Sequence, residues 1–102
     1  MLRLEYMPLS VLKKWPRNPK QHDLPTLAES MDRFGYVAPI LIDEKSGFMV
    51  AGHGRIDTLL EKWKNKEDPP ERIQVKDGEW LVPVIRGIEF KNKKEAEALL
   101  TL

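Results

Sequence analysis

Apolar positions change period several times along the chain, and each change marks an element. Leu2, Leu4 and Tyr6 alternate with Arg3 and Glu5, the two-residue period of a strand with one buried face, and Pro8 closes it. Ser10 to Leu12 has room only for a short helical turn. The run Trp15-Pro16-Arg17-Asn18-Pro19-Lys20 is expected to be a rigid polar loop, because two prolines remove backbone donors and restrict φ. Asp23 then stands as an N-cap, Pro25 falls in a first turn, and Leu24, Leu27, Met31 and Phe34 recur at helical spacing up to a stop at Gly35.

The second half reads in the same way. Ile40-Leu41-Ile42 and Phe48 to Ala51 flank a loop from Asp43 to Gly47, which predicts a β-hairpin whose second strand runs straight into Gly52. From Arg55 the positions Ile56, Leu59, Leu60 and Trp63 fall on one helical face. Asn65 to Arg72 has no period and is expected to be an exposed loop. Asp77-Gly78 between Ile73-Gln74-Val75 and Trp80-Leu81-Val82 signals a second hairpin, with a more buried strand continuing to Ile85 despite Pro83. Asn92 and Glu95 resemble a capping box that opens a last helix carrying Ala96, Leu99 and Leu100. The order predicts one α+β domain over residues 1–102, a small mixed β-sheet flanked by helices.

Composition narrows the chemistry. A chain of 102 residues suits a single modest core. No apolar run approaches the twenty residues that span a membrane, and the N-terminus lacks a basic stretch followed by a long apolar block, so a cytoplasmic protein with no membrane partner is expected. With no cysteine there is no disulfide, thiolate nucleophile or cysteine metal site. A net charge of +1 gives no whole-molecule case for nucleic acid; a basic footprint would have to be local, as at Lys13, Lys14, Arg17 and Lys20, and such a patch is more often a solvated face.

The segment with most chemical content is Gly52-His53-Gly54-Arg55, placed where a strand becomes a helix. Backbone N–H groups outside the helical ladder and the positive end of the dipole suit a phosphate there. Gly52 and Gly54 permit close approach, and Arg55 offers a planar fork to two phosphate oxygens. His53 is the candidate for a further hydrogen bond or for proton transfer, and thus the candidate catalytic residue. The competing reading is a tight turn followed by a solvated cation. Against it, an arginine in a first turn opposes the dipole unless an anion sits beside it. The segment is neither a Walker loop nor a dinucleotide fingerprint.

Taken in order, Trp15-Pro16-Arg17-Asn18-Pro19-Lys20-Gln21-His22, Phe34-Gly35-Tyr36, Pro39 to Ile42, Val50 to Arg55 and Val82 to Ile85 resemble the N-terminal domain of ParB-like proteins, within the ParB/sulfiredoxin superfamily. The resemblance covers nearly the whole chain. It implies a ParB/sulfiredoxin-like fold and a nucleoside triphosphate ligand, CTP or ATP with Mg2+. By position, Gly52 and Arg55 match a Gly-x-x-Arg motif, and Asn18 and Pro19 match Asn-Pro-Arg. The implied nucleotide-binding residues are Gly52, His53, Gly54, Arg55, Arg17, Asn18 and Lys20. Lys20 stands where arginine is usual, a point charge in place of a fork. His53 occupies the position of the sulfiredoxin cysteine, which excludes sulfinic-acid repair, and Gly54 departs from the Gly-His-His-Arg turn of free-serine kinases. The long stretch from Asn65 to Gly78 looks more like phage or mobile-element versions. The 102 residues hold no counterpart of the helix-turn-helix that reads partition sites, so DNA is expected through another domain or chain, a missing portion, or the local patch at Lys13, Lys14, Arg17 and Lys20, and a homodimer is compatible with the resemblance.

Three functions follow for comparison: a nucleotide-binding regulatory module for DNA partition, plasmid or phage maintenance, or DNA modification; a small phosphotransferase or NTPase; and, ranked last, the nuclease label attached to this family, since no carboxylate cluster suits two-metal cleavage. No metal ligands are assigned. His22 reads as a surface histidine, and Asp43 and Glu44 as turn residues facing solvent. Trp15, Trp63 and Trp80 read as core or groove-lining aromatics.

Overall fold

A computed structural model describes residues 1–16 and 23–100. Within them the chain forms β1 (Arg3–Pro8), a single 3-10 turn (Leu9–Val11), α1 (Leu24–Phe34), β2 (Ile40–Asp43), β3 (Met49–Ala51), α2 (His53–Lys64), β4 (Gln74–Lys76), β5 (Glu79–Ile88) and α3 (Lys93–Leu100). The five strands make one mixed sheet in the order β1-β5-β2-β3, with β4 also paired to β5. β5 runs antiparallel to β1 and β4 but parallel to β2. The fold is therefore α+β, as the sequence pattern predicts.

Local chemistry accounts for the element ends. Asp23 accepts from the Thr26 amide at 3.2 Å, and its other oxygen takes the Thr26 hydroxyl at 2.7 Å, an N-cap that satisfies a donor outside the helical ladder. Gly35 ends α1 at φ 76°. Asp77 and Gly78, at φ 53° and 79°, supply the two positive-φ positions that a two-residue hairpin demands. At α3 the Asn92 side chain caps the Glu95 amide at 2.9 Å, while Glu95 reaches back to the Lys91 amide at 3.5 Å.

Successive strand residues point to opposite faces, so β2 shows how the molecule is layered. Ile40 and Ile42 belong to a core shared with Met31 of α1, Ile56 and Leu59 of α2, Met49 of β3 and Val82 and Val84 of β5. Leu41, between them, packs instead with Trp15, Val50 and the α3 residues Ala96 and Leu100. Helices α1 and α2 thus cover one face, and α3 covers the β3 end of the other.

Three expectations need correction. Leu2 and Leu4 alternate as a buried face would, yet they are 62% and 58% exposed. β1 is the last strand of the sheet and α3 lies over the other end, so no layer of the described residues covers them. Asp43 and Glu44 do not simply face solvent. Asp43 is buried, takes the Ser46 hydroxyl at 2.7 Å and the Ser46, Lys45 and Phe90 amides at 3.1, 3.3 and 3.1 Å, and so ties the hairpin turn to the start of the α3 segment. Burial opposes its charge, but these donors outweigh burial and hold its pKa below the ordinary carboxylate value. Glu44 forms a two-pronged pair with Arg86, at 2.7 and 2.9 Å, and accepts the Gly87 amide at 3.0 Å. Finally, β5 continues to Ile88 rather than stopping at Ile85.

Candidate functional site: the strand-to-helix turn at Gly52

β3 hands over to α2 through Gly52, whose φ of 100° is left-handed. A side chain there would place its Cβ 2.4 Å from Ile40 Cδ1, so strain and crowding both select glycine. The helix's own hydrogen bonds begin with the Ile56 amide on the Gly52 carbonyl at 3.0 Å, so the amides of Gly54 and Arg55 lie ahead of the ladder. Its N-cap residue, Gly52, has no side chain with which to cap this end, and the first turn holds no acidic residue. Gly54 is buried, and its carbonyl accepts the Thr58 hydroxyl at 2.8 Å.

Arg55 is half-buried in that first turn, and its guanidinium makes no ion pair with the described residues. Its neighbour Asp57 is already taken by Lys14. That pairing draws Lys14 out of the basic patch suggested by the sequence. Tyr36 is the residue that sequence patterning missed. It is 2% exposed and its hydroxyl has no hydrogen-bond partner among the described residues. Burial pushes this phenol well above its ordinary range, and the nearby positive charge of Arg55 draws it part of the way back. An aromatic just after a helix stop carries no period, so hydrophobic patterning does not mark it as a polar group within electrostatic reach of Arg55.

His53 is 3% exposed, and its Nε2 accepts the backbone N–H of Trp15 at 3.0 Å. An acceptor at Nε2 puts the ring proton on Nδ1 in this arrangement. The imidazole therefore ties the chain at Trp15, two residues ahead of Arg17, to the start of α2. Arg17, Asn18, Lys20 and His22 lie outside the described residues. Of the site residues drawn from the sequence, Gly52, His53, Gly54 and Arg55 are together at one turn. Beside Trp15, on the α3 side, a cleft of about 480 Å3 has aromatic walls from Trp15, Phe48 and Phe90. Trp15 and Phe48 meet edge to face with ring centroids 5.8 Å apart.

The turn as a whole offers backbone donors, a helix dipole and a cation with no ion-pair partner among the described residues, an arrangement suited to an anionic oxygen cluster. Among the described residues no group of three or more His, Asp or Glu side chains is set to hold a metal ion, and no helix is long and apolar enough to cross a membrane.

In comparison with known proteins, the chain is 41% identical over 58 residues to the ParB-like nuclease domain-containing protein YnaK of Escherichia coli (strain K12). The match takes in 54% of this chain and 66% of that relative, just short of two thirds of its length. No protein-family model and no solved structure matches the chain.

Proposed function

We propose that this chain, ParB-like by its similarity to the Escherichia coli relative, binds the phosphates of a nucleoside triphosphate, CTP or ATP with magnesium, at its turn from Gly52 to Arg55, as a regulatory signal. The setting we assign is DNA partition, plasmid or phage maintenance, or DNA modification, with DNA reached through another domain or chain. One observation carries the reading: α2 begins on a glycine, with no acidic residue in its first turn, while holding an arginine that has no ion-pair partner among the described residues. A first-turn cation is an electrostatic cost for a helix by itself and a gain beside a bound anion.

In this reading the Gly54 and Arg55 amides and the Arg55 guanidinium donate to phosphate oxygens, and the Tyr36 hydroxyl acquires the acceptor it lacks. Arg17, Asn18 and Lys20 are assigned to the same ligand through the family resemblance. Magnesium binds phosphate oxygens and keeps several waters, so it would ride on the nucleotide and neutralise its charge. We assign His53 a positioning role, holding Trp15 against the turn. A phosphotransferase or NTPase would instead require the ring to release Trp15 before Nε2 takes a proton. The nuclease in the name of the Escherichia coli relative has no metal-ligand cluster to draw on among the described residues.

Calorimetric titration with CTP, ATP and GTP in magnesium, run beside Arg55→Ala, tests the proposal. Saturable binding that weakens by at least about a hundredfold in the variant, the scale of a lost charge-assisted bidentate contact, is expected. Equal affinity in the two proteins would contradict the site.

A further inference from the structure

We propose that β1 is a self-pairing edge through which two copies of this chain associate antiparallel, about a two-fold axis at Leu4. β1 ends the sheet, and its outer side has no paired strand among the described residues. Its pairing to β5 runs in unbroken register from Arg3↔Arg86 to Pro8↔Leu81, in contrast to the shifted registers of β2. Strand edges of this sort are usually blunted by charged side chains, a bulge, an internal proline or a covering element, and the charges on this one, Arg3 and Glu5, are opposite in sign and so can pair across a two-fold axis. Here Pro8 stands only at the end, and no bulge interrupts the strand.

The side chains argue for a second copy as the occupant. Leu4 pairs with Ile85, which also pairs with Leu41, and Leu41 packs on the α3 side; Leu4 therefore lies on that face. Leu2 and Tyr6 share the face by alternation. Arg3 and Glu5 lie on the opposite one, opposite Arg86 and Val84. The order Leu2-Arg3-Leu4-Glu5-Tyr6 is self-complementary about its centre. Antiparallel pairing of two copies sets Leu4 against Leu4, Leu2 against Tyr6 of the second copy, and Arg3 against Glu5 of the second copy, twice by symmetry. Opposite charges then face each other on one side of the extended sheet, and the exposed leucines are covered on the other. A six-residue edge is a small interface, so the association should be weak and should depend on concentration.

Sedimentation velocity on the full chain, from micromolar to near-millimolar concentration and with nothing added ahead of Met1, tests this pairing. A dimer fraction that rises with concentration is expected. Arg3→Glu alone and Glu5→Arg alone should each weaken association about tenfold, since two like-charge pairs are created at once, and the double reversal should restore it. Leu4→Lys should abolish the dimer by setting two cations against each other at the axis. Circular dichroism would verify that each variant is folded; the substituted side chains are partly or fully exposed, so the fold should survive. A chain that stays monomeric throughout, a dimer indifferent to these substitutions, or a double reversal that fails to restore association would each overturn the pairing.

Discussion

Gly52 and Gly47 are both left-handed, at φ 100° and 79°, yet only one of them is crowded. Alanine at position 47 meets nothing within 4 Å and should cost only the conformational strain, about 1 kcal/mol. Alanine at position 52 adds a 2.4 Å approach to Ile40 Cδ1, so Gly52→Ala should cost about 2–3 kcal/mol in urea unfolding. A ranking in the other order would mean that the turn is not held as described. A second residue-scale prediction concerns Glu44. Hydrogen bonds from the Arg86 side chain and the Gly87 amide hold its carboxyl down to about 2, from an ordinary 4.5. A carboxylate whose pKa is depressed on folding contributes stability that is complete above 4.5 and is lost as the pH falls toward 2. Glu44→Gln should therefore cost about 1–2 kcal/mol at pH 7, a modest figure because the side chain remains 26% exposed. The gap from wild type should close between pH 4.5 and 2; a gap that persists at pH 2 would point to packing instead of charge.

Helices α1 and α2 are joined by a buried cation as well as by their apolar faces. Lys62 of α2 is 5% exposed at its side chain and reaches Asp32 of α1 at 2.7 Å and Glu67 at 3.2 Å. Burial works against its charge, but the two carboxylates outweigh burial and raise its pKa. Lys62→Met keeps the apolar stem and should change stability by less than about 1 kcal/mol, while Asp32→Asn with Glu67→Gln strands the ammonium and should cost about 2 kcal/mol. Thermal or urea unfolding of the two variants decides between them, and a costlier Lys62→Met would show that the ion pair itself holds the helices together. Much at this scale was legible beforehand. The Asp23 cap, the Asp77-Gly78 turn, the Asn92–Glu95 capping motif and the strand entering Gly52 all announce themselves locally, since each depends on residues within four positions. What stayed hidden depends on distant partners. Periodicity says that Leu2 and Leu4 share a face, not that a layer covers it. Nor can the composition of a turn reveal that Asp43 and Glu44 will meet Phe90 and Arg86, more than forty residues away. The parallel pairing of β2 with β5 is equally nonlocal. In the candidate site the glycines and Arg55 were evident in the sequence, whereas Tyr36 gains its relation to the turn only through the fold.

At the scale of the whole molecule, the turn from Gly52 to Arg55 lies where the two faces of the sheet are linked. Ile56, just inside α2, belongs to the core under α1 and α2, while His53 holds Trp15, which belongs to the core under α3. An anion bound at the turn would thus contact a short segment connected to both layers, which would give occupancy of the turn a physical route to altered contacts with another domain or chain. Amide NMR of the isotopically labelled chain, titrated with CTP or ATP in magnesium, tests the phosphate site most directly. Saturable shifts that are largest at the Gly54 and Arg55 amides, with smaller ones at Trp15, are predicted. Shifts centred elsewhere, or none at millimolar nucleotide, would contradict the assignment of this turn as the phosphate site.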